Sequence, residues 1–396
     1  LGLITDKDQS TLESVPQCNL PRPNTAFVGR EAEIDAIVHQ LQQSDCRLLT
    51  LVGPGGSGKT RLAIEVAQHT DYADGVWFVP LQPLRASNNI VMAIVDILPL
   101  RLSGSDDPTW QLLDYLHDRD TLLILDNFEH LLDGVELVTD ILEVAPDVQL
   151  LVTSRERLNL LAEQVWPVLG LEVPKDDQAA GENHSAVQLF TERARRIQPD
   201  FSLETEQDAV IRICQLVEGL PLALELAATW VRAIPCTTIA NEIQSGIDIL
   251  TTNQRDRPER HQSIRIVFDH SWDLLTQAEQ ITASRLAVFH GGFTADAAKQ
   301  VTGASLPMLA ALIDKSIVQL TDSGRYDLHE LVRQYAEGRL ERLGEVESAS
   351  TAHSHYYLGF MCDRHDLLTG SRTLAALDAI ATDFENIRTA WSHAVD

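Results

Sequence analysis

A glycine-rich stretch at residues 53–60 carries the clearest chemical pattern in the chain. It lies between an apolar run and a helical pattern, and the spacing G-x-x-x-x-G-K-[ST] is met by Gly53, Gly58, Lys59 and Thr60. Such glycines let backbone N–H groups converge on an anion, and the start of the helix adds a partial positive charge. In this pattern the lysine reaches the β- and γ-phosphates of a nucleotide and the hydroxyl ligates Mg²⁺. We therefore expect a site for ADP or ATP with Mg²⁺, whose other loop residues are Gly55, Gly56, Ser57 and Arg61.

The apolar run TLLILD at residues 121–126 supplies a second chemical group. The run indicates a buried strand, and its last residue, Asp126, then lies at the edge of the sheet where ligands of such sheets bind. A carboxylate at this place holds Mg²⁺, directly or through water. Asp126 is therefore a candidate metal ligand together with Thr60, and the alternative is an aspartate that only caps the next helix.

The residues after Asp126 bear on whether the nucleotide is hydrolysed. The next residue is Asn127, whereas a hydrolytic ATPase usually has a general base near the γ-phosphate to orient water. Glu129, on the following turn, is the nearest candidate for that base, and the alternative is that it faces solvent. This pattern argues against a fast ATP-driven motor.

A third candidate follows the apolar run VQLLVTS at residues 148–154. Arg155 comes directly after this predicted strand, where a guanidinium can contact the γ-phosphate and lose that contact on hydrolysis. The alternative is an arginine paired with a surface carboxylate. The candidate catalytic residues are Lys59, Asp126, Glu129 and Arg155.

Short apolar strands alternate with helices in the part of the chain that carries these residues. A helical pattern spans residues 31–42, and the candidate strands are residues 47–53, 75–81, 121–126, 148–154 and 164–170. Strands this apolar, separated by helices, indicate a mostly parallel sheet with helices on both faces. We therefore predict an α/β P-loop NTPase domain over residues 26–172, after a polar, proline-bearing linker over residues 1–25.

The rest of the chain is predicted to be almost wholly helical. Residues 173–258 form a helical domain, in which LPLALELAATWV is a buried helix rather than a membrane span. Residues 259–343 hold helices followed by a β-hairpin around the turn DSG, the pattern of a winged helix. Residues 344–396 indicate paired amphipathic helices.

Composition restricts the possible partners. The 396 residues carry a formal net charge of −27, which argues against binding nucleic acid through its phosphates. The five scattered cysteines indicate free thiols in a reducing compartment. No apolar run approaches the roughly 20 residues of a membrane span, and a signal peptide pattern is absent. We expect a cytoplasmic protein with no membrane contact and, because the chain starts at Leu1 rather than Met, a piece of something longer.

Five motifs together carry a family resemblance. FVGRE, GPGGSGKT, LLILDN, VTSRE and GLPLALELAA occur in the order found in the NB-ARC branch of the STAND family, the signal transduction ATPases with numerous domains. The chain most resembles the bacterial regulators whose nucleotide module lies between an effector domain and a helical repeat array. The resemblance implies that residues 344–396 begin an α-helical, TPR-like superhelix that senses a signal.

The resemblance also implies further site residues. It places Val28 on the adenine side and Arg30 on the phosphate side of the nucleotide, and it implies that Pro221 packs on adenine. The alternative for Pro221 is that it simply starts a helix. The family's MHD triplet, whose histidine contacts the β-phosphate of ADP, corresponds here to Leu328, His329 and Glu330. A histidine at the end of a wing strand is otherwise a core or surface residue.

Three function classes compete. In the favoured one, ADP clamps the domains in a closed state, ATP exchange permits opening and self-association into a homo-oligomer, and slow hydrolysis resets the switch. The second is an active ATPase or remodelling motor, a class in which an acidic residue is expected directly after Asp126. The third is a DNA-binding regulator that acts through the winged helix, whose helices lack the basic residues of a recognition helix. The sequence does not identify the signal or the effector domain.

Overall fold

The computed structural model describes residues 18–104, 106–174, 183–252, 261–321, 323–365 and 373–395. The strands are β1 (Leu48–Val52), β2 (Val76–Pro80), β3 (Thr121–Asp126), β4 (Val148–Ser154), β5 (Glu163–Pro167), β6 (Gln319–Leu320) and β7 (Tyr326–Asp327). The helices that accompany the first five strands are α1 (Glu31–Leu41), α2 (Lys59–Gln68), α3 (Ile90–Val95), α4 (Pro108–Leu116) and α5 (Val135–Val144).

The later helices form most of the remaining structure. They are α6 (Ser185–Ile197), α7 (Leu203–Leu216), α8 (Pro221–Ala228), α9 (Cys236–Ser245), α10 (Ile264–Trp272), α11 (Gln277–Leu286), α12 (Ala295–Thr302), α13 (Leu306–Asp314), α14 (Glu330–Leu343), α15 (Val346–His365), α16 (Thr373–Thr382) and α17 (Phe384–Val395). Within the described residues, the predicted helical character of residues 173–258 and the predicted helices of residues 259–343 are therefore confirmed.

The first five strands form one sheet in the order β2-β3-β4-β1-β5, and every neighbouring pair is parallel. Every residue of β1 and β3 is buried, because these strands are covered on both faces. One face packs against α1 and α2 through Ile37 and Leu62, and the other packs against α3, α4 and α5 through Ile94, Leu112 and Ile141. The predicted α/β fold with helices on both faces is confirmed.

Residues 18–25, within the predicted linker, contact the domain that carries the glycine-rich loop. The Asn19 side chain accepts a hydrogen bond from Phe78 N at 2.6 Å and donates one to Phe78 O at 2.9 Å. Phe78 lies on β2, the edge strand, whose outer backbone groups are free to pair. Residues 1–17 of the predicted linker lie outside the described residues.

A single apolar core runs through the helices that follow the sheet, from Leu171 to Ala390. It includes the buried residues of α8, as expected for LPLALELAATWV. The strands β6 and β7 pair antiparallel over two residues each and give the predicted wing between α13 and α14. The predicted domains meet at residues 172–173 and 258–259, and residues 175–182 and 253–260 next to these boundaries lie outside the described residues.

The end of the chain differs from the predicted helical pair. Its described residues, 344–365 and 373–395, contain three helices, α15 to α17, and α15 packs along α17. Only Asp383 separates α16 from α17. The helical spacing of apolar residues therefore continues across the boundary, and the sequence does not reveal that two helices meet there. All five cysteines are free thiols, as predicted. In the described parts of the chain, no helix combines the length and apolar character needed to cross a bilayer.

Candidate nucleotide-binding site

The glycine-rich loop joins β1 to α2 and is closely covered by other elements. Gly56 and Gly58 have φ of +87° and +91°, in the left-handed region that favours glycine. A Cβ atom at Gly55 would lie 2.4 Å from Val267 Cγ1 of α10. The loop therefore needs glycine both for its own path and for the approach of a helix more than 200 residues further along the chain.

Lys59 folds back onto this loop. Its Nζ donates hydrogen bonds to Gly53 O at 2.7 Å and to Pro54 O at 3.0 Å. Burial lowers the pKa of Lys59 to about 8, against the opposing effect of the Glu129 carboxylate. The neighbouring Ser57 hydroxyl is buried and lacks a hydrogen-bond partner among the described residues. A phosphate would give both groups a strong acceptor.

Three oxygen-bearing side chains meet at the edge of the sheet. Asp126 Oδ1 accepts hydrogen bonds from Thr60 Oγ1 at 2.6 Å and from Thr153 Oγ1 at 2.7 Å. Carboxylate and hydroxyl oxygens are the ligands that Mg²⁺ takes in P-loop sites. The N-cap of the turn after β3 is Asn127, so Asp126 is not the cap that the alternative required. The residues present therefore fit a nucleotide with Mg²⁺.

Glu129 and Arg155 form a buried ion pair beside this group. Arg155 Nε donates to Glu129 Oε1 at 3.0 Å, and only 4% of Glu129 and 8% of Arg155 is exposed. Both alternatives raised by the sequence are therefore wrong: Glu129 does not face solvent, and the carboxylate that pairs with Arg155 is not on the surface. Arg155 is buried because α10 binds it through Val267 O and Ser271 Oγ, a contact that local sequence does not reveal.

Helix α8 closes the site from another side. The Leu222 N–H donates to Gly56 O at 3.2 Å, and Pro221 occupies the first turn of α8, as the helix-start alternative expects. A cavity of about 190 Å³ lies between α8 and the loop, and it is lined by Gly55, Gly56, Gly58, Lys59, Thr60, Arg61, Asn127, Glu129, Thr153, Arg155, Pro221, Leu222, Glu225 and His261. The structure thus brings most of the predicted site residues together around one space.

A smaller cavity of about 50 Å³ adjoins this one on the side of α1. Val28, Arg30 and Pro221 line it, the three residues assigned by the resemblance to the adenine side and to the phosphate side. Arg30 donates to Ser57 O at 3.0 Å, and Arg61 donates to Thr25 Oγ1 and to Thr25 O, both at 2.7 Å. These arginines therefore join the start of the described chain to the loop.

His329 lies apart from the two cavities. Its Nδ1 accepts a hydrogen bond from Leu331 N at 3.2 Å and so caps α14, while Nε2 lies 3.8 Å from Glu218 Oε2. Burial lowers the pKa of His329 to about 4, so the ring is neutral near pH 7. Its contact with a nucleotide, implied by the resemblance alone, stays a prediction.

Sequence reasoning missed several lining residues. Glu225 falls one helical turn after Pro221, so helical spacing could have placed it on the same face of α8. Leu222 contacts the loop through its backbone, which leaves no sequence signal. His261 lies at the start of the predicted winged-helix segment, outside every motif that the sequence offered.

The comparisons with known proteins agree with this geometry. Residues 26–200 match the family model described as the AAA ATPase domain. The match and the glycine-rich loop together support a P-loop ATPase fold with a nucleotide site for this part of the chain. The Walker-type ATPase PABY2304 of Pyrococcus abyssi shares the fold, with a TM-score of 0.53 at 12% identity over 78% of this chain and 96% of that chain.

Two relatives from Mycobacterium tuberculosis extend the match along the chain. The uncharacterised protein Rv0894 is 32% identical, with 82% of this chain and 84% of that protein covered. The chain belongs to the same family as Rv0894. The putative HTH-type transcriptional regulator Rv0890c is 34% identical over 87% of this chain. The chain spans only 39% of the length of Rv0890c.

Proposed function

We propose that this chain is the nucleotide-dependent switch of a larger regulatory protein of the STAND type. ADP holds the closed arrangement, exchange for ATP permits opening and self-association, and slow hydrolysis resets the closed state. The AAA ATPase match and the relative named as a transcriptional regulator support this proposal. Residues 26–172 serve as the nucleotide domain, residues 173–258 and 259–343 as its helical and winged-helix covers, and residues 344–396 as the start of the sensor.

One observation carries the proposal: separate segments of the chain meet at the glycine-rich loop. The loop itself, the start of α8 and the middle of α10 are in contact, through the Leu222–Gly56 hydrogen bond and through Val267 against Gly55. A ligand in the adjoining cavity contacts the loop and the start of α8 directly, and it contacts α10 only through Arg155, which lines the cavity and donates to Val267 O. Its identity therefore decides how these segments pack, which is what a switch requires.

The state of Glu129 favours a switch over a motor. Its carboxylate is paired with Arg155, so in this arrangement it is held by a charge-assisted hydrogen bond rather than free to orient water. Mg²⁺ bound with the nucleotide would be held by Thr60 and Asp126 and would neutralise phosphate charge. We assign Lys59 to the phosphates, Val28 and Pro221 to the adenine side, and Arg30 to the phosphate side.

The name of Rv0890c suggests an output in transcription. We assign to this chain the nucleotide-responsive part of such a regulator, and direct contact with nucleic acid to parts outside it. Its net charge of −27 supports this division. The winged-helix segment then serves as a cover for the nucleotide rather than as a DNA-binding module.

The experiment is to denature purified protein and identify the released nucleotide by chromatography. We expect close to one ADP per chain, retained through purification, and slow turnover of added ATP. Protein that emerges empty and hydrolyses ATP quickly would contradict the switch and favour the motor. A further arm compares the mass in solution with ADP and with AMP-PNP, and the proposal requires a larger assembly only with AMP-PNP.

A further inference from the structure

Arg155 binds groups on three other parts of the chain in addition to lining the nucleotide cavity. Besides the bond to Glu129, its Nη1 donates to Val267 O at 2.9 Å and to Ser271 Oγ. Its own carbonyl oxygen accepts a hydrogen bond from Ser316 Oγ at 2.8 Å. The side chain therefore extends from the end of β4 into α10, which is more than 100 residues further along the chain.

The same face of α10 performs two tasks. Val267 and Ser271 are four residues apart and so lie on one side of the helix, where Ser271 Oγ donates to Val267 O at 3.3 Å. The Val267 side chain covers the loop at Gly55, while its carbonyl group and the Ser271 hydroxyl bind Arg155. When α10 leaves the loop, it therefore also loses its hydrogen bonds to Arg155.

Arginine keeps its charge, so a buried guanidinium must have acceptors wherever it lies. Arg155 lines the cavity that contains Lys59 and Thr60, and a phosphate oxygen is at least as strong an acceptor as a backbone carbonyl or a hydroxyl group. The Nη1 group that bonds to α10 cannot at the same time turn fully into the cavity. The two sets of acceptors therefore compete for one side chain.

We propose that Arg155 has two mutually exclusive positions, and that Ser271 is the positioning residue that holds it in the closed one. In the first position Arg155 binds α10 and Glu129. In the second it binds the terminal phosphate of ATP, which frees α10 from the loop and frees Glu129 at the same moment. This inference rests on the proposed function and adds to it the residue contact through which ATP opposes closure.

Movement of Arg155 to the phosphate also changes the surroundings of the Glu129 carboxylate. Glu129 Oε2 is buried and has no hydrogen-bond partner among the described residues, so Arg155 supplies the main compensation for its charge. Once Arg155 moves to the phosphate, Glu129 can accept a hydrogen bond from water. Both oxygens of the base therefore become available once α10 has been released.

The test compares Ser271→Ala with Ser284→Ala. Ser284 is a buried serine on α11 whose hydroxyl also bonds the carbonyl four residues earlier, Gln280 O at 2.9 Å, but its contacts do not reach the sheet. Affinities for ADP and for AMP-PNP are measured by calorimetry. We expect Ser271→Ala to raise the ratio of AMP-PNP affinity to ADP affinity by about tenfold, the effect of one hydrogen bond to a charged group. Ser284→Ala should leave the ratio within about twofold.

Two further variants separate positioning from general damage to the fold. Ser271→Thr keeps a hydroxyl and should keep the wild-type ratio. In a chain that carries Arg155→Ala, adding Ser271→Ala should change the ratio by less than about twofold, because the partner of the serine is gone.

The outcomes distinguish the two proposals. A Ser271→Ala protein that binds both nucleotides with the wild-type ratio overturns the two-position model and leaves the proposed function intact. An equal change of the ratio with and without Arg155 also overturns it, since the serine would then act through something else. A wild-type chain that does not bind ADP overturns both the model and the proposed function.

Discussion

Two contacts join segments of this molecule that are distant in sequence, and they are built differently. At the first, α10 rests on the glycine-rich loop and binds Arg155 through Val267 and Ser271. At the second, α17 rests on the wing and on the turn before α12. Asn386 is fully buried there, accepts a hydrogen bond from His290 N at 2.8 Å and donates one to Gly292 O at 2.8 Å.

The second contact, which we call the α17 junction, also contains an ion pair. Arg325 of the wing lies 2.6 Å from Asp383, and 15% and 8% of the two side chains are exposed. His353 of α15 contributes Nε2 at 3.2 Å from Asn386 Oδ1. These residues lie outside the set that lines the two cavities at the glycine-rich loop.

The difference lies in what could replace each contact. Arg155 borders a cavity, so a ligand can offer its guanidinium new acceptors. The polar groups of the α17 junction bind one another and would lose these partners if it opened, although His290 and His353 also line a cavity of about 110 Å³. We therefore expect the first contact to open with nucleotide exchange and the second to stay closed, so that α10 to α17 move as one body.

The largest expected effect is on stability, at the α17 junction. Asn386→Ala leaves His290 N and Gly292 O without their side-chain partner, so the free energy of unfolding should fall by about 2–4 kcal/mol. Chemical denaturation measures it, and Asn241→Ala, at an exposed asparagine, should change it by less than about 0.5 kcal/mol. A loss below 1 kcal/mol at Asn386 would mean that the junction is as loose as the surface.

The next effect is on nucleotide binding, at the glycine-rich loop. Lys59→Ala should weaken binding of ADP and AMP-PNP about 30-fold or more, because a charge-assisted contact to phosphate is lost. Lys299→Ala, at an exposed lysine of α12, serves as the control. Undiminished binding by Lys59→Ala in calorimetry would remove this lysine from the site.

The contribution of the α17 junction to the free energy of unfolding should depend on pH, through His353. Burial lowers the pKa of His353 from 6.5 to about 4, so the unfolded chain takes up a proton at a higher pH than the folded one. The stabilising effect of a neutral His353 is complete above pH 6.5 and is lost as the pH falls toward 4. The difference in unfolding free energy between wild type and His353→Gln should therefore shrink by about 1 kcal/mol per pH unit in that window. A constant difference from pH 7 to pH 4.5 would contradict the shift.

The smallest effect is expected at His329. Its ring caps α14 and faces Glu218, outside the two cavities, so His329→Ala should change the affinity for ADP less than about threefold. A selective loss of ADP affinity of tenfold or more, with AMP-PNP affinity unchanged, would instead support the phosphate contact that the family resemblance implies.

Local patterns explain how much the sequence could predict. Lys59, Thr60 and Asp126 can be predicted as site residues because a glycine-rich loop and a strand-ending carboxylate depend on residues adjacent in the chain. The parallel sheet followed from the apolar strands for the same reason. The partners of Arg155 could not be found, since Glu129 is 26 residues away and Val267 is 112 residues away. Asn386 gave no signal either, because a polar residue in a helix normally predicts an exposed face.

Hydrogen exchange of the α10 amides, with ADP and then with AMP-PNP bound, tests the central claim most directly. The amides of α17 in the same sample serve as the internal reference. We predict that Ile264–Trp272 is protected with ADP and loses protection with AMP-PNP, while Phe384–Val395 keeps the same protection with both. Equal protection of α10 with the two nucleotides would contradict a switch that works through this helix.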